Sequence, residues 1–352
     1  KTFNIDLVEL VKKIRSSAVT LIAPEAFFEA FGFRYIGPID GHDMEVLIKT
    51  FRNIPFGEKD PAPILLHLVT KKGKGYPYAE EDPSLFHGIS CFNTKTGRSE
   101  SKRTQQTFTS VFGETLTELA CKDSKIVAVT AAMKEGTGLD IFEKTHKDRF
   151  YDVGIAEQHA VTFASALAKS GLKPVVAIYS TFMQRSIDQV FHDVALNNLH
   201  VVFCMDRAGL VGEDGSTHHG VFDISLLRCI PRLTIMSPSN APELSAMMIY
   251  ALEKCNGPVF IRYPRGCVPE WEHEDLVNKK HHEIKDNSSR LIFSNNAEKE
   301  HITIFGLGYS AYTCLEAVKQ LCESDPKLPI KVYDPRFIKP IDTETLKKEL
   351  KS

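Results

Sequence analysis

The stretch VVAIYSTFMQRSIDQVFHDVALNNLHVVFCMD, residues 175–206, decides the predicted fold. It begins with the apolar run VVAIYS (175–180), continues with helical spacing of apolar residues over 182–197, and ends with a second apolar run, HVVFCMD (200–206). Two short apolar runs separated by one helix are typical of parallel strands joined by a helical crossover. Because neither run alternates polar and apolar residues, both strands are expected to be buried on both faces.

The same pattern extends to both sides of this stretch. Further strands are predicted at KIVAVTA (125–131), LTIMS (233–237) and PVFIRYP (258–264), and helices are predicted over 241–254 and after Glu157. The sequence therefore predicts an α/β fold in which a parallel sheet is covered by helices on both faces. In open sheets of this kind, ligands bind at the carboxyl ends of the strands.

Two segments divide the chain into three predicted domains. Residues 92–107 are polar and form the clearest linker, and residues 270–299 are charged and irregular and form a second one. The predicted domains cover residues 1–100, 105–270 and 295–352. The expected local structures outside the middle domain are a helix over 1–35, a turn over 35–43, a helix over 44–54, a strand over 61–70, an irregular segment over 71–88, and the start of a further α/β unit over 302–342.

Composition and charge exclude two classes of function. The 352 residues are 43% hydrophobic and 25% charged, and the formal net charge is -2. There is no strongly basic stretch of the kind that binds nucleic acid, and no apolar run approaches the ~20 residues that cross a bilayer. We therefore expect neither a nucleic-acid partner nor a membrane partner. Because the eight cysteines include no CxxC pair, we expect reduced, buried thiols in a cytosol-like compartment.

Four segments that follow predicted strands of the middle domain break the pattern of apolar core and polar surface. Collected at one sheet edge, they would supply arginines as anion clamps, since a planar guanidinium donates two hydrogen bonds to a phosphate at once. A histidine in the third segment could carry protons. The segments are AEQH with Glu157, YSTFMQR (179–185) with Arg185, MDRAGLVGEDGSTHHGVFD (205–223) with Arg207 and His218, and RYPRG (262–266) with Arg265.

Each segment also has a purely structural interpretation. Glu157 could be an acid that the helix macrodipole favours at a helix N-terminus. Arg207 and Arg265 could be surface ion-pair residues, and GEDGSTHHG (212–220) could be a solvated turn. GLGYS (306–310) lacks the third glycine and the acid of a dinucleotide site, so it is interpreted as a packing turn. The loop LFHG (85–88), with His87, has an ordinary loop as its simplest interpretation.

Long motifs in family order identify a resemblance that favours the functional interpretation. The chain closely resembles the 1-deoxy-D-xylulose-5-phosphate synthase family, thiamine-diphosphate enzymes related to transketolase. The third unit continues the resemblance through RFIKPID (336–342). The motifs that carry it are YIGPIDGHD (35–43), TKKGKGYPYAEEDP (70–83), LFHG (85–88), DVGIAEQHAVTFASALA (152–168), DRAGLVGEDGSTHHGVFD (206–223) and IRYPRG (261–266).

The resemblance implies a reaction and its cofactors. The family condenses pyruvate with D-glyceraldehyde 3-phosphate, releases carbon dioxide and gives 1-deoxy-D-xylulose 5-phosphate, the first step of the non-mevalonate isoprenoid route. Its cofactors are thiamine diphosphate and Mg²⁺. A homodimer is expected by analogy, in the bacterial cytoplasm or, if a transit peptide has been removed, in the plastid stroma.

The resemblance also implies roles on the cofactor side. Glu157 would hydrogen-bond a ring nitrogen of the aminopyrimidine and favour its imino tautomer. Ile155 and Phe182 would line the pyrimidine pocket, with Phe182 stacked on the ring. Lys72 would lie near the diphosphate, with its neighbour Lys71 as the alternative.

Further roles follow on the substrate side. Arg207 and Arg265 match the positions that hold the aldehyde's phosphate. His218 and His87 match the positions placed for proton transfer.

Other residues would orient or surround the substrate. Asp214, on the same loop as His218, would orient the substrate or the histidine. Tyr179 and Arg185 would line the substrate channel.

One feature of the family is absent from this sequence. Residues 1–100 contain no GDG motif with a downstream Asn, the arrangement that ligates magnesium in the family, so no metal ligand is assigned to this chain. We expect the chain to be a piece of a longer enzyme or one of two chains, with little activity alone. A transketolase, the β subunit of a 2-oxo-acid dehydrogenase and a non-catalytic fragment remain alternatives. YIGPIDGHD and TKKGKGYPYAEEDP argue against the β subunit, because such subunits begin at the pyrimidine domain.

Overall fold

The computed structural model describes residues 24–54, 62–89, 91–98, 105–269, 283–285, 287–297 and 300–351. The chain divides into two compact units, residues 1–103 and 104–352. Of the helix predicted over 1–35, the part before residue 24 lies outside the described residues. The prediction was wrong at the other end, because the helix ends at Ala30, Gly32 adopts a positive φ of 85°, and a strand begins at Arg34. Among the described helices, none is long and apolar enough to cross a bilayer.

The first unit contains two parallel strands, β1 (Arg34–Asp40) and β2 (Ile64–Val69). The predicted helix over 44–54 and the predicted strand over 61–70 are both present. Among the described residues of this unit, the helices are Pro24–Ala30, Met44–Asn53 and Pro77–Glu81, and a 3₁₀ turn covers Leu85–His87.

Two further predictions for the first unit were wrong. The stretch over 35–43 is not only a turn, because β1 continues to Asp40 and the turn follows it. Its Gly37–Pro38 pair is tolerated where the register with β2 shifts, since proline cannot donate to a strand ladder. The segment over 71–88 is not wholly irregular, because Pro77 begins a short helix at the position where its missing N–H costs nothing.

The second unit is built on a seven-stranded sheet and a three-stranded sheet. The ten strands of the two sheets are β3 (Ile126–Thr130), β4 (Phe150–Asp152), β5 (Lys173–Tyr179), β6 (Val202–Asp206), β7 (Thr234–Met236), β8 (Val259–Arg262), β9 (Arg290–Asn295), β10 (Ile302–Phe305), β11 (Ile330–Asp334) and β12 (Phe337–Lys339), as far as the structure describes the unit.

The strands of the large sheet lie in the order β12-β7-β8-β6-β5-β3-β4 and are parallel except β12, which runs antiparallel to β7. The predicted α/β class with a mainly parallel sheet is therefore confirmed.

Helices cover both faces of the large sheet. Adjacent residues of one strand show this directly, because Val175 packs into one core cluster and Val176 into the other. The helices Phe108–Lys122 and Ala241–Glu253 contribute to the first cluster, and the helix Glu157–Lys169 contributes to the second. In the part of this unit that the structure describes, the remaining α-helices outside the segment over 180–195 are Leu139–Thr145, Asp223–Arg228, Tyr309–Ser324 and Thr343–Glu349.

The helix predicted over 182–197 is interrupted rather than regular. It consists of Ser180–Met183, a 3₁₀ turn over Gln184–Ser186, one turn over Ile187–Gln189 and a π-helical stretch over Val190–Ala195. The Ser186 hydroxyl donates to the Met183 carbonyl oxygen, and such side-chain bonds compete with regular helix hydrogen bonds. The interruption lies directly after β5, where several predicted site residues are placed.

The C-terminal part of the second unit forms the three-stranded sheet, in the order β10-β11-β9. The prediction that residues 270–299 are irregular was wrong for β9, which pairs antiparallel with β11. After β11 the chain leaves this sheet, and the next strand, β12, joins the edge of the seven-stranded sheet by pairing with β7. The two sheets of this unit are thus connected by one continuous stretch of chain.

The turn GLGYS (306–310) has the geometry of a packing turn. A Cβ atom on Gly306 would lie 2.6 Å from the Cα of Ala311, and one on Gly308 would overlap the Ser237 hydroxyl oxygen. Both glycines are therefore required by close packing, which agrees with the interpretation made from the sequence.

The cysteine prediction was right in one respect and wrong in another. All eight cysteines are free, but only Cys204 is buried, and Cys91, Cys121, Cys229 and Cys267 are exposed. The error arose because an apolar neighbourhood in sequence was equated with burial. Cys121, for example, lies in the last turn of the helix Phe108–Lys122 and faces outward.

Candidate functional site

The candidate site lies where β5, β6 and β8 end side by side. Tyr179, the last residue of β5, pairs in register with Asp206, the last residue of β6, and Met205 pairs with Arg262 at the end of β8. The loops that follow these three strands therefore begin at the same edge of the sheet. This is the edge at which ligands bind in open parallel sheets.

Glu157 is the first residue of its helix, and it is buried. Only 3% of the residue is exposed, and its Oε1 lies 3.7 Å from Nη1 of Arg185, whose side chain is 60% exposed. A carboxylate placed at a helix N-terminus for the macrodipole alone needs no burial, and burial is costly without a partner. Burial therefore makes a capping role at the helix N-terminus an incomplete explanation of Glu157.

An aromatic cluster lies on the loop side of β5. The rings of Tyr179 and Phe182 are stacked at 5.5 Å, and the His218 ring packs edge-on against Phe182 at 5.4 Å and against Tyr179 at 6.5 Å. Burial raises the pKa of Tyr179 to about 12, so its hydroxyl stays protonated at neutral pH. The cluster brings together three residues that were predicted from two separate segments.

Arg207 lies against the same tyrosine. Its Cζ is 4.1 Å from the centre of the Tyr179 ring, a cation–π distance. Its Nη1 lies 3.1 Å from Oδ1 of Asp206 and also donates to the carbonyl oxygen of Gly136. Arg207 is therefore not a surface ion-pair residue, because its guanidinium is largely enclosed.

Arg207 and Arg265 converge on one acid. Oδ2 of Asp214 lies 3.2 Å from Nε of Arg265 and 3.8 Å from Nε of Arg207. The neighbouring arginine of RYPRG is used differently, since Nε of Arg262 donates to the buried Asp223 at 2.7 Å. The two arginines of RYPRG therefore differ in environment. Arg262 forms an ion pair with a buried acid, and Arg265 contacts the loop that carries Asp214.

The loop GEDGSTHHG is an ordered turn structure. It contains two 3₁₀ turns, Gly212–Asp214 and Ser216–His218, and its last residue, Gly220, exchanges two backbone hydrogen bonds with Gly209, three residues before the loop. Nδ1 of His218 lies 2.9 Å from the hydroxyl oxygen of Thr217. This bond fixes the ring of His218 next to the aromatic cluster.

Three predicted residues remain to be placed. Ile155 precedes Glu157 by two positions and is 79% exposed, so its side chain is open to contact. Lys72 and His87 belong to the first unit, where both are exposed. Lys71, the alternative to Lys72, is paired with Glu80 at 2.6 Å, which favours Lys72 for a ligand contact.

Sequence reasoning missed three residues that support Arg207. Asp206 is fully buried and accepts a hydrogen bond from the Thr109 hydroxyl at 2.6 Å, while Gly136 supplies a carbonyl oxygen. The signal for Asp206 was present, because an acid at the end of an otherwise apolar strand needs a partner. Nothing in the sequence indicates that Thr109 lies next to Asp206 or that Gly136 lies next to Arg207.

The described residues contain no group of three or more His, Cys, Asp or Glu side chains that could hold a metal ion. For thiamine diphosphate, the second unit offers a buried carboxyl at Glu157, an aromatic face at Phe182 and an exposed apolar side chain at Ile155. These groups fit the polar ring nitrogen and the apolar faces of an aminopyrimidine.

Three family models match the chain. The model of the transketolase pyrimidine binding domain matches residues 104–270. A 1-deoxy-D-xylulose-5-phosphate synthase model matches residues 1–70, and the model of the transketolase C-terminal domain matches residues 295–352.

Curated relatives resemble the chain over nearly its full length. The 1-deoxy-D-xylulose-5-phosphate synthase of Desulfotalea psychrophila is 45% identical over 350 residues, which are 98% of this chain and 52% of the relative. That of Chlorobium luteolum is 48% identical over 337 residues, which are 95% of this chain and 51% of the relative. The chain spans about half the length of the curated relatives it matches.

The fold of this chain resembles that of solved transketolase structures. A split-gene transketolase, described as an inactive β4 tetramer, is 27% identical with a TM-score of 0.60, and the match covers 70% of this chain and 77% of that chain. A transketolase variant from Pichia stipitis is 15% identical with a TM-score of 0.59, covering 71% and 37%, and shows the fold alone. Identity of 45–48% over nearly the whole chain makes this protein a homologue of the 1-deoxy-D-xylulose-5-phosphate synthases, with pyrimidine-binding and C-terminal domains of the transketolase type.

Proposed function

We propose that the protein containing this chain condenses pyruvate with D-glyceraldehyde 3-phosphate to give 1-deoxy-D-xylulose 5-phosphate and carbon dioxide, the first step of the non-mevalonate isoprenoid route. The observation that carries the proposal is the convergence of Arg207 and Arg265 on one acidic group beside the aromatic cluster. Homology to synthases of this name supports it.

The cofactor would be thiamine diphosphate, with Mg²⁺ at its diphosphate. When bound, it supplies the electron sink for the carbanion that decarboxylation leaves. Glu157 would hydrogen-bond the pyrimidine ring nitrogen and share a proton with it, because a buried carboxyl group is costly without a polar partner. Phe182 and Ile155 would contact the faces of the ring, and Lys72 would contact the diphosphate.

The phosphate of the acceptor aldehyde would bind between Arg207 and Arg265. Asp214 supports this, because a carboxylate oxygen already lies within 3.8 Å of both Nε atoms. An anionic ligand at this point would replace or share that contact, and loss of one charge-assisted hydrogen bond costs ~1.5–3 kcal/mol. Tyr179 and Arg185 would line the channel, and Asp214 would orient the bound aldehyde.

Two histidines would move protons. Nδ1 of His218 is engaged by the Thr217 hydroxyl, so Nε2 is the nitrogen we assign to proton exchange with the substrate. His87 would be a second proton carrier near the reacting carbons. A neutral Tyr179 beside His218 would add no negative charge of its own to the substrate channel.

A second proposal concerns the activity of this chain on its own, and one specific observation favours it. The similar split-gene transketolase is described as inactive as a β4 tetramer. By analogy, we propose that this chain alone is inactive and that activity needs further protein. The resemblance to the synthase family, and not this neighbour, is the basis for proposing a homodimer as the assembled form. The chain would then be the pyrimidine-side part of an enzyme.

Product analysis tests the proposed function. The native protein that contains this chain is incubated with thiamine diphosphate, Mg²⁺, pyruvate and D-glyceraldehyde 3-phosphate, and 1-deoxy-D-xylulose 5-phosphate is measured by mass spectrometry. Parallel reactions with a ketose-phosphate donor, or with pyruvate and lipoamide, report transketolase and dehydrogenase activity. Product from either parallel reaction, and none from the first, would replace the proposal.

A further inference from the structure

Asp206 has a fully buried carboxyl group that contacts both Arg207 and Thr109, which are far apart in sequence. Its Oδ2 accepts a hydrogen bond from the Thr109 hydroxyl at 2.6 Å, at the start of the helix Phe108–Lys122. Its Oδ1 accepts from the backbone N–H of Arg207 at 2.7 Å and lies 3.1 Å from Nη1 of the same arginine. One side chain therefore contacts both the backbone and the guanidinium of Arg207.

The backbone of Arg207 needs such support. Its φ angle is 60°, in the left-handed region that is unfavourable for a residue with a Cβ atom. Conformations of this kind persist where the surroundings hold them in place. The bond from the Arg207 N–H to Asp206 holds the turn, while the Gly136 carbonyl and the Tyr179 ring hold the guanidinium.

We propose that Asp206, anchored by Thr109, is a positioning residue that fixes Arg207 in the orientation that binds the phosphate of the acceptor aldehyde. The proposal rests on the proposed function, because it assumes that Arg207 contacts the phosphate. A guanidinium held in place before binding loses less side-chain freedom when the anion arrives, so affinity increases.

Asp206 has two opposite effects on an anion at Arg207, and they can be separated. Its bonds orient the arginine and favour phosphate binding, whereas its negative charge weakens the attraction between arginine and phosphate. An asparagine keeps an acceptor for the Arg207 N–H and a donor for Thr109 Oγ1, but it has no charge. An alanine removes all of these contacts.

The test compares Michaelis constants in the native protein for three substrates: D-glyceraldehyde 3-phosphate, unphosphorylated D-glyceraldehyde and pyruvate. D206A should raise KM for the phosphorylated aldehyde about 10-fold or more, as expected for lost charge-assisted hydrogen bonds. D206N should restore KM to within about threefold of wild type, which corresponds to less than one ordinary hydrogen bond. KM for the other two substrates should stay unchanged in both variants.

A milder variant guards against loss of folding in D206A. T109V removes one hydroxyl from Asp206 at constant volume and should raise KM for the phosphorylated aldehyde about 3- to 10-fold. The matched control is T115V on the same helix, whose hydroxyl lies 2.8 Å from that of Ser245. The control should leave all three constants unchanged.

Several results would overturn the positioning role. Equal rises in KM for all three substrates would indicate general structural damage, as would equal effects of T109V and T115V. Tighter binding of the phosphorylated aldehyde by D206N would show that charge, not position, dominates.

The arginine variants distinguish failure of this proposal from failure of the proposed function. If R207A and R265A leave the preference for phosphorylated over unphosphorylated aldehyde unchanged, the phosphate assignment itself is wrong. If they abolish the preference while D206A and T109V do not affect it, only the positioning role is wrong.

Discussion

Oδ2 of Asp214 lies 3.2 Å from Nε of Arg265, although the two residues come from loops that follow different strands. The contact places a negative group at the position where we expect the substrate phosphate. Arg262, three residues earlier, is already paired with the buried Asp223. Arg265 is thus the arginine of this segment that can exchange one anionic partner for another.

Replacement of Arg265 should discriminate between the two substrates. R265A should raise KM for D-glyceraldehyde 3-phosphate roughly 10- to 100-fold, since a charge-assisted hydrogen bond is worth ~1.5–3 kcal/mol, and should leave KM for pyruvate nearly unchanged. Steady-state kinetics of the native protein measures both constants. R228A, at an exposed position in the helix Asp223–Arg228, is the control. Equal losses for both substrates would show that Arg265 does not bind the phosphate.

Gly136 should be intolerant of any side chain. A Cβ atom there would overlap the Tyr179 hydroxyl oxygen and lie 2.9 Å from Cζ, so G136A must displace the ring on which Arg207 rests. We expect G136A to raise KM for the phosphorylated aldehyde severalfold. The double variant G136A/Y179F removes the closer of the two overlaps and should bind the aldehyde better than G136A alone. A wild-type KM in G136A would show that binding does not depend on the close approach of Gly136 to Tyr179.

Acid should destabilise the C-terminal sheet through Glu349. Burial alone would raise the pKa of this carboxyl, but hydrogen bonds from His301, Tyr333 and Lys331 outweigh it and lower the pKa to about 2. Because the folded-state pKa lies below the ordinary value of 4.5, the stabilisation is complete above that value and is lost as pH falls towards 2. By linkage it amounts to roughly 3 kcal/mol.

The variant E349Q should therefore lower Tm at pH 7 and flatten the decline of Tm between pH 5 and pH 2, an interval set by the two pKa values. Thermal unfolding followed by circular dichroism measures both effects. E344Q lies on the same helix at an exposed position and should behave as wild type. An equal effect of the two variants would contradict the assignment.

The sequence predicted the large sheet because buried parallel strands are continuously apolar. KPVVAIY and VFCMD, the sequences of β5 and β6, show this pattern. The strand β9 was missed because its residues are only partly buried and it lies within a charged segment. The break near Ser186 was missed because apolar spacing does not report local hydrogen bonds between side chain and backbone.

The site was predictable only in part. Glu157, Arg207 and Arg265 could be chosen because charged residues next to buried strands are costly without a purpose. Asp206 could not be connected to Thr109, which lies 97 positions earlier, because that contact depends on how the helix Phe108–Lys122 packs at the end of β6. Pairings of this kind follow from tertiary packing and have no local pattern.

The central claim is that the buried carboxyl of Glu157 shares a proton with the pyrimidine ring and thereby activates the cofactor. Exchange of the C2 hydrogen of bound thiamine diphosphate for deuterium, followed by NMR in the native protein, tests it most directly. E157Q should slow the exchange by about 10²- to 10⁴-fold, the usual contribution of a positioned acid–base group, while the exposed control E253Q should not change it. Exchange at the wild-type rate in E157Q with cofactor bound would contradict the account.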